Sequence, residues 1–248
     1  MGYHRNTRRS PWLTLTAVLV YGFLYLPIVV LVVFAFNSSR QNVVFEGIVN
    51  RDPCGPFYWF CTLAGKREAI DATKNTLISA ISSTIIATIL GTMAALALQR
   101  HAFRVKLFAE TSLYIPIVIP EIVMGISLLL FFGVLINGQG SIQQISIAHI
   151  TFCISYVAVV VRARAANLDP QLEEAARDLG ASAWGAFRYV TLPLILPAVI
   201  AGALLAFSLS FAAYVVPPFH AGVGGSSLPL YLYGALQFVA TPAITALL

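Results

Sequence analysis

The sequence predicts an all-α, polytopic membrane protein, and three observations carry that prediction. Hydrophobic residues make up 58% of the chain and charged residues 10%, where a soluble domain carries about 25% charged residues. Mean hydropathy is +0.83. The apolar residues fall in continuous runs of the length that a helix needs to cross a hydrocarbon core, roughly 20 residues. They do not alternate with polar residues, which argues against transmembrane strands.

In chain order, the predicted spans are residues 13–36, 76–98, 107–136, 142–161 and 191–219, and a further apolar run occupies 238–248. The expectation is five full spans plus an incomplete sixth, within one transmembrane domain over residues 1–248. The first run is too long for a signal-peptide core and lacks a convincing small-residue cleavage site, so it reads as a span. In the third run, Pro116 and Pro120 each remove a helix hydrogen bond and open backbone carbonyls. The long polar connection is residues 37–72, where Phe57, Tyr58, Trp59 and Phe60 suit the headgroup level. Cys54 and Cys61 share that loop, and an oxidising compartment would permit a disulfide, but spacing alone does not give its geometry. Zinc is disfavoured there because no histidine lies nearby. Cys153, inside the fourth run, reads as a buried small apolar residue.

Orientation follows from the basic residues. Arg5, Arg8 and Arg9 precede the first span; Arg100, Arg104 and Lys106 lie between the second and third; Arg162, Arg164, Arg177 and Arg188 lie between the fourth and fifth. On the opposite side, Arg40, Arg51, Lys66, Arg67 and Lys74 are mixed with acids, and the loops near Asn137 and Gly224 carry no Lys or Arg. The positive-inside rule therefore predicts a cytoplasmic N-terminus and an extracytoplasmic 37–72 loop. The net charge of +5 reflects this topology. No basic patch with interleaved aromatics accompanies it, so nucleic acid is not an expected partner; membrane lipid is.

The most informative segment is the polar stretch 165–190. Asp169 is placed to cap a helix that begins at Pro170, where proline costs nothing. Glu173 and Glu174 fall in the first turn, favoured by the helix dipole. Gly180 comes where a left-handed C-terminal residue is wanted, and Ser182 is placed to cap a second helix. The prediction is a cytoplasmic helical hairpin whose Ala175, Ala176 and Gly180 let another protein approach its backbone closely.

Glu174-Ala175-Ala176, then Gly180 after three residues, then Val190-Thr191-Leu192-Pro193 after nine more, has the form E-A-A…G…I-x-L-P with Val190 for Ile. It resembles the coupling loop of permease subunits of bacterial ABC importers. Further segments resemble the polyamine (spermidine/putrescine) branch of those permeases: Phe36-Asn37-Ser38-Ser39-Arg40, Leu90-Gly91-Thr92, residues 115–123, Ala148-His149-Ile150-Thr151-Phe152, Val161-Arg162-Ala163-Arg164 and Ser226-Ser227-Leu228-Pro229-Leu230. One departure stands out. After Phe207-Ser208-Leu209-Ser210-Phe211, where members of that branch carry an acidic pair, this chain has Ala212-Ala213.

The resemblance implies a type I ABC importer helix bundle in the bacterial cytoplasmic membrane, with no cofactor in this chain. ATP and Mg would be bound by a dimer of partner ATPase subunits, beside a second permease subunit and an extracytoplasmic solute-binding protein. It implies an ATPase contact formed by Glu173, Glu174, Ala175, Ala176, Asp178, Gly180 and Pro193. For the substrate path, Glu121 is the sharpest candidate, because an ionisable residue at membrane depth is costly without a role. Tyr114 and Tyr214 could add cation–π contact. His149 reads as a hydrogen-bonding residue near a helix end and His220 as a loop residue; neither has a second metal ligand at i+4.

Catalytic chemistry is not indicated. There is no G-x-x-x-x-G-K-[ST] loop, and Gly222, Gly224 and Gly225 lack its lysine. Glu173 and Glu174 are adjacent and point to different helix faces, so they form no acid/base pair. The alternatives to a polyamine importer are a permease for another small solute such as iron, thiamine or an opine, or an ion-coupled secondary transporter. The latter would need paired intramembrane acids or broken helices in two related halves.

Overall fold

The computed structural model describes residues 11–39, 44–100, 104–135, 141–220, 226–238 and 242–247. The Arg5, Arg8 and Arg9 cluster, Arg40, the loop at Asn137 and the Gly222–Gly225 turn lie outside them. Among the described residues the regular structure is helical, apart from two isolated bridges, Asn37 with Ile48 and Arg51 with Gly55. Four helices are long and apolar enough to cross a membrane, or five spans if one bent pair counts as a span. The helices group into two compact units.

The smaller unit comprises the described residues up to Arg67 and from Leu232 onward. Its helix α1, Pro11–Phe34, has no buried residue. A helix that is apolar all round and uncovered belongs in lipid, where its backbone groups are satisfied internally. The loop that follows is organised around Asn37, which is fully buried. The Asn37 side chain donates to the Val44 carbonyl at 2.8 Å and accepts from the Glu46 amide at 3.0 Å. Trp59, in α2 (Tyr58–Ala64), donates its indole N–H to the Asn37 carbonyl at 2.7 Å. The expected headgroup role of Trp59 is thus corrected: the ring is buried, because its N–H finds an acceptor inside the loop. The Arg51 guanidinium lies 5.5 Å from the Tyr58 ring centre and 5.9 Å from that of Trp59. Cys54 and Cys61 are joined in a disulfide.

The larger unit, Glu68–Tyr231, holds almost all of α3 (Arg67–Arg100), together with α4 (Lys106–Val118), α5 (Glu121–Leu130), α6 (Ile142–Ala165), α7 (Gln171–Asp178), α8 (Ala183–Ala186), α9 (Leu192–Ala212) and α10 (Pro217–His220), and it ends within α11 (Leu228–Phe238). Helix α6 is its axis and packs against both α4 and α9. The core is built from small side chains: Ala87 and Ala95 of α3, Cys153, Val157, Ala158 and Val161 of α6, and Ile195 and Ala206 of α9. Small residues let backbones approach where no hydrophobic drive separates helix from lipid. Gly91 marks the closest approach: a Cβ there would lie 2.8 Å from the Ile154 carbonyl oxygen and from Val157 Cβ.

Two predicted spans are revised. The third run is not one continuous helix. α4 and α5 meet at a 108° bend, because Pro120 excludes its predecessor from the helical region and Ile119 is extended, with ψ 131°. The fifth run stops as a helix at Ala212; Ala213 is extended, and Pro217 opens the separate short α10. Before the sixth predicted run, α11 already occupies Leu228–Phe238, and Pro242–Thr245 forms a short α12.

Candidate functional site

Two places in the larger unit gather the residues singled out by sequence. The first is the hairpin between α6 and α9. Asp169 Oδ1 accepts the Gln171 amide at 3.0 Å, and Pro170 already has helical angles (φ −59°, ψ −28°). The expected cap and N1 proline are therefore formed. At the other end of α7, Gly180 has φ +91°. Its amide donates to the Arg177 carbonyl at 2.9 Å and that of Ala181 to the Ala176 carbonyl at 3.0 Å, the bond pair of a Schellman C-cap. Ser182 Oγ accepts from the Gly185 amide at 3.1 Å and starts α8. The chain then passes through a π-helical turn, Phe187–Thr191, into α9. Pro193 has no N–H to donate back into this turn, which accounts for its widened pitch.

Glu173 fixes this hairpin to the bundle. Its carboxylate accepts from Arg177 at 3.0 Å and from the Thr191 hydroxyl, itself buried, at 3.0 Å. At the base, Arg162 pairs with Glu110 at 2.7 Å, and Arg164 donates to the Leu194 carbonyl at 3.2 Å. A cleft of about 380 Å³ lies beneath α7, between the ends of α3 and α6 and the start of α9. Outward, Glu174, Ala175 and Asp178 are exposed. Beside them stand Leu179 at 90%, Tyr189 at 77% and Trp184 at 67% exposure, an apolar rim that the sequence reading did not single out. The signal was present: three large apolar side chains in a short polar, non-spanning segment.

The second place lies inside the bundle. Glu121 is the first residue of α5, half-buried, where the helix dipole favours a carboxylate. It lines a small cavity together with His149, Ser210 and Ala213. Ala213 is one of the two alanines that replace the acidic pair expected from the resemblance. Tyr114 and Tyr214 are about half exposed and are not among the described residues lining this cavity.

His149 differs most from its sequence reading. It lies well inside α6 and is 4% exposed. Ser210 Oγ of α9 is 2.6 Å from its Nδ1, and Ser79 Oγ of α3 is 3.4 Å away. Ser83 Oγ is 3.0 Å from Ser210 Oγ and donates to the Ser79 carbonyl. The three serines recur on α3 and α9 at positions that read, singly, as ordinary small residues in apolar spans. A second small cavity is lined by His149, Ser210 and Ala213 as well, together with Asn75, Thr76, Ser79 and Ser227.

Comparison with known proteins gives the family and the fold. Residues 87–248 match the family described as "Binding-protein-dependent transport system inner membrane component". The chain is 38% identical over 245 residues to the putrescine transport system permease protein PotI of Escherichia coli K12, covering 96% of this chain and 85% of that protein. It is 36% identical over 228 residues to the spermidine/putrescine transport system permease protein PotC of Haemophilus influenzae, covering 92% and 86%. A bacterial ABC transporter that imports the polysaccharide alginate shares the fold, with TM-score 0.69 and 17% identity over 100% of this chain and 92% of that one. The MetNI methionine ABC transporter aligns with TM-score 0.57 and 17% identity, over 77% and 86%. The family supplies the multi-pass inner-membrane component of such systems rather than the ATPase. This chain belongs to the binding-protein-dependent transport system inner membrane component family.

Proposed function

We propose that this permease subunit serves an ATP-driven importer of polyamines such as putrescine or spermidine, and that residues 165–190 form its contact with an ATPase dimer. The observation that carries the coupling reading is the hairpin capped at both ends, which presents Glu174, Ala175, Asp178 and Leu179 outward. Glu173 plays a different part from Glu174: it ties the hairpin to Thr191 at the foot of α9. When the ATPase pair closes, a pull on α7 passes through Glu173 to α9 and through the Arg164–Leu194 bond to α6. Ala176, Gly180 and Pro193 act by shape, keeping the approach close and the turn fixed. ATP and Mg reside in the partner. A second permease subunit completes the path, and a solute-binding protein delivers to the outer face.

The polyamine assignment is supported by the named relatives and by Glu121 on the wall of a membrane-embedded cavity. A carboxylate there attracts an ammonium group. The Ala212-Ala213 departure favours a second reading, a different small solute. The N-terminus is proposed to be cytoplasmic; the basic loops and the Cys54–Cys61 disulfide, which needs an oxidising compartment, both support this.

The test is reconstitution of the chain with its ATPase, second permease and binding protein in proteoliposomes. Labelled putrescine is expected to accumulate only when ATP and the binding protein are both present. Accumulation driven by an ion gradient without ATP overturns the coupling reading. ATP-driven uptake of another solute, with none of putrescine or spermidine, overturns the substrate.

A further inference from the structure

Residues 213–220, which follow α9, form a strap whose place is set by the length of that helix. Helix α9 leaves the hairpin at Leu192 and runs for 21 residues to Ala212. At 1.5 Å per residue that is about 32 Å, the thickness of a hydrocarbon core, so the strap lies across the membrane from the hairpin. Its first residue, Ala213, is extended (φ −65°, ψ 118°), and Pro217 and Pro218 open the four-residue α10. Two successive prolines fix φ and donate no backbone hydrogen bond, so the strap is stiff without continuing α9.

The strap is seated on the bundle. Val216 and Pro217 are buried, and α10 packs against both α5 and α6. The Phe219 ring lies on Gly125, which is buried although Ile122, Val123 and Ile126 of the same helix are exposed. A Cβ on Gly125 would stand 2.9 Å from Phe219 Cδ2 and 3.4 Å from Cε2. The ring thus reaches the backbone of α5 at a point where any larger residue would displace it. Ala213 and Val216 of the strap also wall the cavity that Glu121 lines, the rest of the wall coming from α5, α6 and α9. At about 10 Å³ this cavity has room for one water-sized group, so a solute does not pass while the strap is seated.

From this geometry we infer that Phe219 is the gating residue at the extracytoplasmic end of the transport path: its ring, seated on Gly125, holds the strap closed, and the path opens when the ring leaves that notch. The inference uses the permease family and the cytoplasmic hairpin proposed above; it does not use the identity of the solute. A ring on bare backbone suits a gate. It is held by burial and dispersion, which are not directional, so it leaves and returns without stranding a hydrogen-bond partner of its own. The corner between α4 and α5 and the extended Ala213 give each side of the contact a hinge.

The test follows the gate without a substrate. Ala213→Cys places a thiol on the cavity wall, in a chain that also carries Cys153→Ala and keeps the Cys54–Cys61 disulfide oxidised. Intact cells holding the importer with its ATPase and second permease are treated with a small membrane-impermeant methanethiosulfonate, and the rate of thiol modification is measured. With Phe219 in place the thiol is expected to react slowly. Phe219→Ala is expected to raise the rate about tenfold or more, because truncating a large packed side chain shifts a closed–open balance on that scale. Gly125→Ala is expected to do the same, because its methyl expels the ring. Adding Phe219→Leu to Gly125→Ala is expected to slow the reaction again, since the shorter side chain fits over the methyl. A contact that only stabilised the fold would be loosened further by the second change. Co-purification with the ATPase checks that each variant assembles. Fast modification with Phe219 in place overturns the inference, and so do unchanged slow rates in both single variants or failure of both to assemble. Modification confined to opened membranes overturns it together with the cytoplasmic hairpin. None of these outcomes depends on which solute is carried, so they separate the gate from the polyamine reading.

Discussion

At the scale of single residues, one carboxylate, that of Glu121, lines the cavity shared with His149 and Ser210. Ala213, one of the two alanines where the resemblance leads to an acidic pair, lines the same cavity, so both positions open on one small space. If Glu121 supplies the charge for the path, Glu121→Gln keeps shape and hydrogen bonding and removes the attraction. Putrescine transported per ATP is expected to fall at least tenfold, because an ammonium left without its counter-charge in a low-dielectric path is costly. Ala213→Asp in the Glu121→Gln background is expected to restore part of it, since the new carboxylate opens on the same cavity. Uptake unmoved by Glu121→Gln would remove Glu121 from the path. Glu121 was legible in the sequence, because an acid beside two prolines inside an apolar run is conspicuous. His149 was not, because nothing in its neighbours shows that serines 70 and 61 residues away in sequence converge on its ring.

At the scale of elements, local signals and long-range packing divide the legible from the illegible. The α7–α8 hairpin could be read almost residue by residue: the Asp169 cap, the N1 proline, the Gly180 turn and the Ser182 cap all act within a few positions of themselves. The bend between α4 and α5 rests on an equally local cause, Pro120 acting on Ile119, yet the hydropathy run hid it, because composition stays apolar through the corner. Trp59 was misplaced for the opposite reason, its acceptor being the carbonyl of Asn37, 22 residues away. Gly180 provides the element-scale prediction. No atom would crowd a Cβ at this position, so the cost of Gly180→Ala is that of the left-handed backbone alone, about 1 kcal/mol. The turn between α7 and α8 is expected to loosen while the spans keep their packing. The expected outcome is normal membrane insertion with transport per ATP reduced severalfold, and Gly180→Leu should add steric exclusion of the ATPase to this. Retention of wild-type coupling and ATPase co-purification by Gly180→Leu would exclude the hairpin as the contact.

At the scale of the whole molecule, composition alone made the class evident: continuous apolar runs with little charge leave few options besides a bundle of membrane helices. What composition does not give is which side each end faces, and here charge and redox chemistry are independent arguments. The basic residues cluster in the connections that include the hairpin, which by the positive-inside rule argues for a cytoplasmic hairpin. A Cys54–Cys61 disulfide persists where thiols are oxidised, which argues for an extracytoplasmic 37–72 loop. These two arguments predict opposite labelling of the two segments. The single remaining cysteine, Cys153, is fully buried, so it adds no background. In intact cells treated with a mild reductant, a membrane-impermeant maleimide is expected to label Cys54 and Cys61. Without reduction it should label neither, because the thiols are joined. Tyr189→Cys, introduced at a site 77% exposed on the hairpin, should stay unlabelled until the membrane is opened. Labelling of Tyr189→Cys in sealed cells would invert the topology and separate the hairpin from any cytoplasmic ATPase. Labelling of Cys54 without reductant would leave the charge argument standing alone.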